Sequence, residues 1–578
     1  MGHRGRKLSP GRKPVELIYG VDDHVPLYDL VALSIQHAAL LISILLSTVF
    51  FARAIGASES QTESLVNVGL IAGGLASILQ STSRWGLGSG YFCLHTSSFM
   101  FFQSSVLAAK TAGLSLVFGL TAVAGFAEVA LSRIMPRLRT LLPPEISGLA
   151  VVNLGIAMAP YALRSMAGII QQGAAVNAPE LVTGLVTLGF IVALNVWSKG
   201  TLRLYSMLLA ILGGYATFYL TGAKSTGQFE GLAAKPFLSL PHLEHPGFSF
   251  DVSFLMPFLI VALCASLKVT GDIISCQKIN NADWKRVDMD SVGRGLVADG
   301  LGTMVAGLMG GTGLVSSSPN IGMSYATGAT SRYLGYSTGA LFMALAFLPR
   351  LSAILTTMPR PIIGALVLYS SCFMIVTGLS IIMTRMLDAR RIFVIGLSLI
   401  LGLSVDNIPE LYVRIPHELK PIFSSSLALS TVTAILLNLL FRIGVSSKAV
   451  LELAPGRDEQ TKIYEFFEKK GTAWGARKDV IRVATAVMSE LYESISLLSL
   501  ARGPITAILS FDEFHIDLEV RYEGEEMCFP KAQPDTDPII SDPVALARLS
   551  GFVIGKYADR IKSTAAAGQC AIRFRFVH

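Results

Sequence analysis

From about residue 28 to 443 the chain repeats one pattern: an apolar run near twenty residues long, then a short break carrying Gly, Pro or a charge. A helix of about 20 apolar residues crosses a hydrocarbon core of about 30 Å. Runs begin near 28, 64, 90, 112, 145, 178, 203, 252, 291, 319, 334, 361, 391 and 422. The pattern predicts an all-α polytopic membrane protein with about 14 transmembrane segments. Basic residues gather after every second run, among them Arg84, Arg133, Lys278, Arg332, Arg390 and Lys448. The opposite breaks are sparser, with Lys235, Arg350 and Arg360 as exceptions. That bias predicts an inner (plasma) membrane protein with both termini cytoplasmic. Residues 1–24 then form a basic cytoplasmic N-terminus and 25–445 the transmembrane domain.

The pattern fails in two places. "GLGSGYFCLHTSSFMFF" (86–102) and "SSSPNIGMSYATGATSRYLG" (316–335) put Gly, Ser, Thr, Asn and Pro where a spanning helix should be. They fall near the third segment of the first seven and the third of the second seven. Irregular backbone at membrane depth survives only where protein or a water-filled cavity covers it. Matched breaks in two halves point to an inverted-repeat transporter with its site at the midplane.

Composition narrows the function. The chain is 52% hydrophobic and 15% charged, against about 25% charged for soluble proteins. Its net charge of +7 comes from residues at segment ends, which calls for no nucleic acid. Cys93, Cys264, Cys276, Cys372, Cys528 and Cys570 have no paired spacing, so neither a disulfide framework nor a metal site is expected. No nucleophile–base set appears. A transporter without cofactor, rather than an enzyme, is the expectation.

After about 445 charges appear throughout, and the pattern changes. Residues 446–475 read as a linker and 476–578 as a cytoplasmic α+β domain. Ile481, Val487, Met488, Leu491, Ile495 and Leu498 recur at helical spacing, a second helix is expected around 543–563, and "FHIDLEVRYEG" (514–524) and "IRFRF" (572–576) alternate as strands do.

Several motifs share one resemblance. Pro319-Asn320-Ile321-Gly322, four residues, then Thr327-Gly328, is similar to the signature of the nucleobase–ascorbate transporter family. Gln36-His37, "TSSF" (96–99), "LPPEISGLAVVNLGIAM" (142–158) and "RGLVADGLGTMVAGLMGG" (294–311) resemble other family segments, in the expected order. The resemblance implies two inverted repeats of seven spans, core and gate domains, and two short β-strands meeting between half-helices at the site. It implies a symporter importing a purine-type nucleobase, such as xanthine or urate, with H⁺ or Na⁺. Ser98, Phe99, Ser318 and Pro319 would contact substrate, with Phe99 flanking the ring. Asn320 would brace the strand, His37 with Gln36 and Thr327 would support the core, and Asp299 would hold the ninth and tenth spans in register or take part in coupling. Dimerisation through gate domains is a further implication.

One position departs from the family. Members that take uracil or xanthine commonly carry Glu-x-x-Gly-Asp or Glu-x-x-Gly-His in the eighth span, the Glu binding the base and the last residue tied to proton coupling. This chain reads Lys268-Val269-Thr270-Gly271-Asp272, so Asp272 matches the coupling residue and Lys replaces the Glu. A carboxylate accepts hydrogen bonds from ring N–H groups; an ammonium only donates. Lys268 either pairs with Asp272 one turn away or faces the site and attracts an anion, such as urate, deprotonated xanthine or an organic carboxylate. Pro319 looks like the ascorbate-transporting branch. A sensor on a transporter scaffold, signalling through the tail, is the alternative from another functional class. The tail resembles the ATPase domain of anti-sigma-factor kinases, but Glu490 and Ser494 stand where that fold places its Mg²⁺-holding Asn, and "RYEGEEMCFP" replaces its adenine-reading Asp-x-Gly. A catalytically silent module is expected, one that binds a cytoplasmic partner, binds a nucleotide weakly or serves dimerisation.

Overall fold

The computed structural model describes residues 12–577 apart from 85, 139–143, 170–174, 199–205, 223–234, 283, 285–286, 385, 417–421, 424, 442–447, 512–514, 531–542, 559 and 567. Phe514, the expected first residue of a strand, and residues 1–11 of the basic N-terminus lie outside the described residues. Two compact units emerge: one runs to Leu379 and resumes over Leu397–Ile435, and the other comprises Ser380–Gly396 and Leu436–His578.

Between residues 27 and 441 helices begin close to the starts of the apolar runs. They are α1 (Leu27–Ile55), α2 (Glu59–Ser81), α3 (Phe102–Ala112), α4 (Leu114–Leu138), α5 (Pro144–Met166), α6 (Ala178–Trp197) and α7 (Ser206–Leu220). Then come α8 (Val252–Asn280), α9 (Met289–Met309), α10 (Ser318–Thr327), α11 (Arg332–Leu345), α12 (Pro349–Thr356), α13 (Arg360–Ile382), α14 (Ala389–Asn407) and α15 (Ser426–Phe441). Their starts are specified locally. Ser58 and Gln61 form a reciprocal capping box at α2, and Asp251 caps α8 through the Ser253 amide. Six of the described helices are long and apolar enough to cross a membrane, and a seventh if α11 and α12, bent by 80°, count together.

Lipid tails are as apolar as leucine, so helices in a bilayer associate by close packing at small residues. Two helix pairs use glycine in the same way. A Cβ on Gly125 of α4 would lie 2.5 Å from the Gly300 carbonyl of α9, and one on Gly300 would lie 2.7 Å from the Gly125 carbonyl. A Cβ on Gly74 of α2 would lie 2.5 Å from the Gly339 carbonyl of α11, and one on Gly339 would lie 2.7 Å from the Gly74 carbonyl. Phe101, Phe118, Phe258 and Phe342 fill the core around these crossings.

The breaks at 86–102 and 316–335 become strand plus half-helix. Strand β1 (His95–Ser97) pairs antiparallel with β2 (Leu314–Ser316), with Thr96 opposite Val315. All six residues are buried.

The second unit holds β3 (Lys448–Leu453), α16 (Gln460–Trp474), α17 (Lys478–Leu497), β4 (Ile505–Phe511), β5 (His515–Glu523), α18 (Pro543–Tyr557), β6 (Arg560–Ala566) and β7 (Gln569–Val577). The strands form one antiparallel sheet in the order β3-β4-β5-β7-β6. The stretch 446–475, read from sequence as a linker, therefore contributes an edge strand and a helix to the fold. Its helical face was too short and too charged to stand out. Ile505, Ala507, Leu509 and Phe511 of β4 alternate inward, as do Ile516, Leu518, Val520 and Tyr522 of β5. Val480, Ile481, Ala484, Val487, Met488, Leu491 and Ile495 of α17 belong to the same core. Within this unit the Met386 amide donates to the Ala476 carbonyl at 3.2 Å, and Arg391 donates to the carbonyls of Met386 at 3.2 Å and Trp474 at 3.3 Å.

Candidate functional site

The β1–β2 ladder extends one residue at each end. The Ser98 amide donates to the Gly313 carbonyl at 3.1 Å, and the Ser317 amide donates to the Leu94 carbonyl at 2.8 Å. A 3₁₀ turn, Phe99–Phe101, leads from β1 into α3, and α10 follows β2. Two helix N-termini thus begin at opposite ends of a ladder three residues long. Their first amides have no helical carbonyl to bind, and the helix dipoles leave partial positive charge there. Ser98 accepts from the Met100 amide at 3.1 Å, which starts the turn. Phe99 is half-buried and meets Phe50 edge-on at 6.4 Å, while Ser318 is half-buried and Pro319 exposed. Pro at the first turn costs no helical hydrogen bond.

Lys268 of α8 sits against the end of β2. Its ammonium donates to Asp272 Oδ2 at 2.8 Å, to the Ser316 carbonyl at 2.6 Å and to Ser318 Oγ at 3.1 Å. Those three oxygens use all three of its N–H donors. Asp272 also accepts from Ser316 Oγ at 2.5 Å and from Ser318 Oγ at 2.8 Å. Of the two sequence readings for Lys268, the geometry holds the ion pair, and the ammonium has no donor left over for an incoming anion.

His37 is fully buried in α1 and Gln36 lies buried beside it. Nδ1 of His37 stands 2.8 Å from Asn320 Oδ1, which can only accept, so the ring carries its proton there. Asn320 in turn donates to Ser317 Oγ at 2.9 Å, joining α1 to the turn between β2 and α10. Thr327 bonds only within its own helix among the described residues, to the carbonyls of Met323 at 2.9 Å and Ser324 at 3.2 Å. Asp299 of α9 is fully buried. Its Oδ1 lies 3.1 Å from His95 Nε2 on β1.

Several participants escaped the sequence reading. Ser316 was visible only as one of three serines in a row. His95 precedes "TSSF" as an unremarked residue. The segment before α1 also takes part: the Ile18 and Tyr19 amides donate to the Gly328 carbonyl at 2.8 and 3.0 Å, and Thr330 donates its amide to the Tyr19 carbonyl at 2.8 Å. Part of the expected polar N-terminus is thus built against the end of α10. Sequence spacing carries no signal for such a contact. Among the described residues no cluster of His, Cys, Asp and Glu could hold a metal ion.

The sequence profile of the Permease family matches residues 29–411. The xanthine permease XanP of Escherichia coli (strain K12) is 27% identical over 441 residues, 74% of this chain and 95% of that protein. Xanthine permease XanQ of the same strain is 25% identical over 451 residues, 75% of this chain and 96% of that protein. Among solved structures, the transmembrane domain of the cyanobacterial bicarbonate transporter BicA aligns with a TM-score of 0.46 at 13% identity, over 73% of this chain and 99% of that one.

Proposed function

Because the chain belongs to the Permease family, the nucleobase–ascorbate transporters whose motifs it carries, we propose that it is a secondary active transporter importing a purine-type nucleobase such as xanthine. The observation that carries this reading is the buried two-stranded ladder with a helix N-terminus at each end. The carbonyl oxygens of a planar purine suit main-chain amides at such termini, and Phe99 supplies an apolar face beside them. The names of the relatives, xanthine permeases, agree.

The glycine contacts support 14 spans in two inverted repeats. If β1–α3 is the third span and β2–α10 the tenth, α4 with α9 and α2 with α11 exchange under a shift of seven. The basic breaks support cytoplasmic termini.

The transport is driven by a cation gradient, and the site favours H⁺ over Na⁺. A sodium ion needs several oxygen ligands, and Asp272, the Ser316 carbonyl and Ser318 already serve the Lys268 ammonium. The same saturation favours a neutral base over an organic anion. The second unit, tied to the segment 380–396, has a regulatory or partner-binding role.

Uptake of radiolabelled xanthine into proteoliposomes holding the full-length protein tests the reading. Saturable accumulation on an inward proton gradient is expected, with competition by neutral purine bases and little by organic anions such as ascorbate. Equilibration without accumulation, or no uptake of any purine, counts against it.

A further inference from the structure

Glu128 lies in the middle of α4, in the run "LTAVAGFAEVALSR", and is fully buried. It sits at the glycine crossing already described: a Cβ on Gly300 would come within 2.9 Å of the Glu128 Cβ, next to Asp299. Glu128, Asp299 and His95 thus bring three buried titratable side chains from α4, α9 and β1 to one place, each with no exposed surface.

Proton bookkeeping there is constrained by hydrogen bonding. Nδ1 of His95 lies 3.3 Å from the Cys93 carbonyl, which can only accept, so Nδ1 carries a hydrogen. Nε2 lies 3.1 Å from Asp299 Oδ1, a close contact short of hydrogen-bond alignment, and a neutral ring with its hydrogen on Nδ1 leaves Nε2 bare there. Two lone pairs at that distance repel. One proton must therefore lie on the pair, as imidazolium facing carboxylate or as neutral ring facing acid. Glu128 has the Thr303 hydroxyl as a hydrogen-bonding neighbour, but neither carboxyl oxygen stands in ordinary hydrogen-bond geometry to it or to any other described residue. The nearby Thr303 hydroxyl instead exchanges hydrogen bonds with the Leu314 amide and carbonyl, each at 3.3 Å. An ionised carboxylate buried without a partner costs several kcal/mol, and such a group neutralises instead. Glu128 accordingly holds a second proton.

The surroundings add no compensating charge. Lys268 and Asp272 on α8 are the next charged groups and neutralise each other at 2.8 Å. The Cys93 side chain, two residues before His95, is also buried. The charged residues of α2, Glu59 and Glu63, lie at its far end, and that of α3, Lys110, in its last turn. On α4 and α9 the next charged positions, Arg133 and Arg294, are five residues away. With two protons the three groups sum to zero charge. With fewer, the cluster is a buried anion.

We propose that His95, Asp299 and Glu128 form the proton-binding site through which substrate movement is coupled to a proton gradient. The inference rests on the transporter reading and deepens it by naming where the proton resides. His95 is itself a residue of β1, and its amide donates to Ser77 Oγ at 2.8 Å while its strand partner is Ser316. A change of charge on its ring therefore acts directly on the strand beside the substrate site.

The test uses Glu128→Gln, which keeps the size of the side chain and cannot ionise. In proteoliposomes, two quantities are measured: accumulation of xanthine on an imposed inward proton gradient, and xanthine–xanthine exchange, which needs no net proton movement. The ratio of accumulation to exchange should fall by roughly tenfold or more, within the usual range of coupling factors. Independently, infrared spectra of the purified full-length protein at neutral pH should contain the C=O stretch of a protonated carboxylic acid that the substitution removes. A spectrum unchanged by Glu128→Gln, or a variant that concentrates xanthine as the unmodified protein does, overturns the proposal. Should the unmodified protein move no purine, the transporter reading fails, and the infrared band still decides whether Glu128 holds a proton.

Discussion

Replacing Lys268 with methionine removes an ammonium but keeps the length of the side chain. At an effective dielectric constant of about 20, unit charges at the observed 2.8 Å attract by about 6 kcal/mol. Most of that attraction offsets the cost of taking both charges out of water. The measurable quantity is the penalty for leaving Asp272 without its partner, about 3–5 kcal/mol for a fully buried pair. Lys268 and Asp272 retain 19% and 11% side-chain exposure, and Asp272 keeps its bonds from Ser316 and Ser318. Those residual contacts reduce the expected loss to about 2–3 kcal/mol. Asp272→Asn strands the ammonium in the same way. The double variant removes both charges, so its loss should fall short of the sum by at least about 1 kcal/mol. Thermal unfolding of the purified full-length protein, read for the four proteins under one condition, measures this. Losses that simply add would refute the ion pair as an energetic unit. Loss of stabilisation by anionic ligands alone in Lys268→Met would show that the ammonium reads substrate.

Gly300→Ala should destabilise the protein by about 1–3 kcal/mol, because the new Cβ meets main-chain atoms of α4 at 2.7 and 2.8 Å that cannot rotate away; Gly189→Ala, with open space around it, is the melting control. Asn320→Ala removes the acceptor for the buried His37 Nδ1 and the donor to Ser317, and should cost about 1–3 kcal/mol in thermal unfolding while lowering xanthine affinity. In the second unit, burial raises the Glu519 pKa, but hydrogen bonds from Arg521 and Arg573 outweigh it and hold the group below the ordinary glutamate value. A depressed carboxylate pKa stabilises the fold above its unfolded value, and that contribution is lost as pH falls through the folded value. Hydrogen–deuterium exchange in β5 and β7 of the full-length protein should therefore be faster in Glu519→Gln than in the unmodified protein at neutral pH, with the difference closing in acid.

Periodicity and local chemistry alone determined the membrane class, the helix starts, the two breaks and the alternating strands of the tail. These depend on neighbours a few residues apart: apolar runs long enough for a bilayer, caps such as Ser58 and Asp251, and Ser or Pro where a helix must begin. The motif residues Gln36, His37, Phe99, Asp272 and Asn320 were legible for the same reason, since each belongs to a short pattern. Partners were not. Whether Lys268 pairs with Asp272 or faces a ligand depends on where β2 ends, about 48 residues later in the chain. That Asp299 meets His95 depends on how closely α9 approaches α4 and β1, and this is decided by glycines whose importance appears only when two backbones touch. Likewise residues 446–475 looked like a linker because an edge strand's order comes from its neighbour β4, not from its own composition. Local sequence specifies segments through short-range sterics and solvation. Pairing of charges and protons across 100 or 200 residues is specified only once packing has brought the segments together.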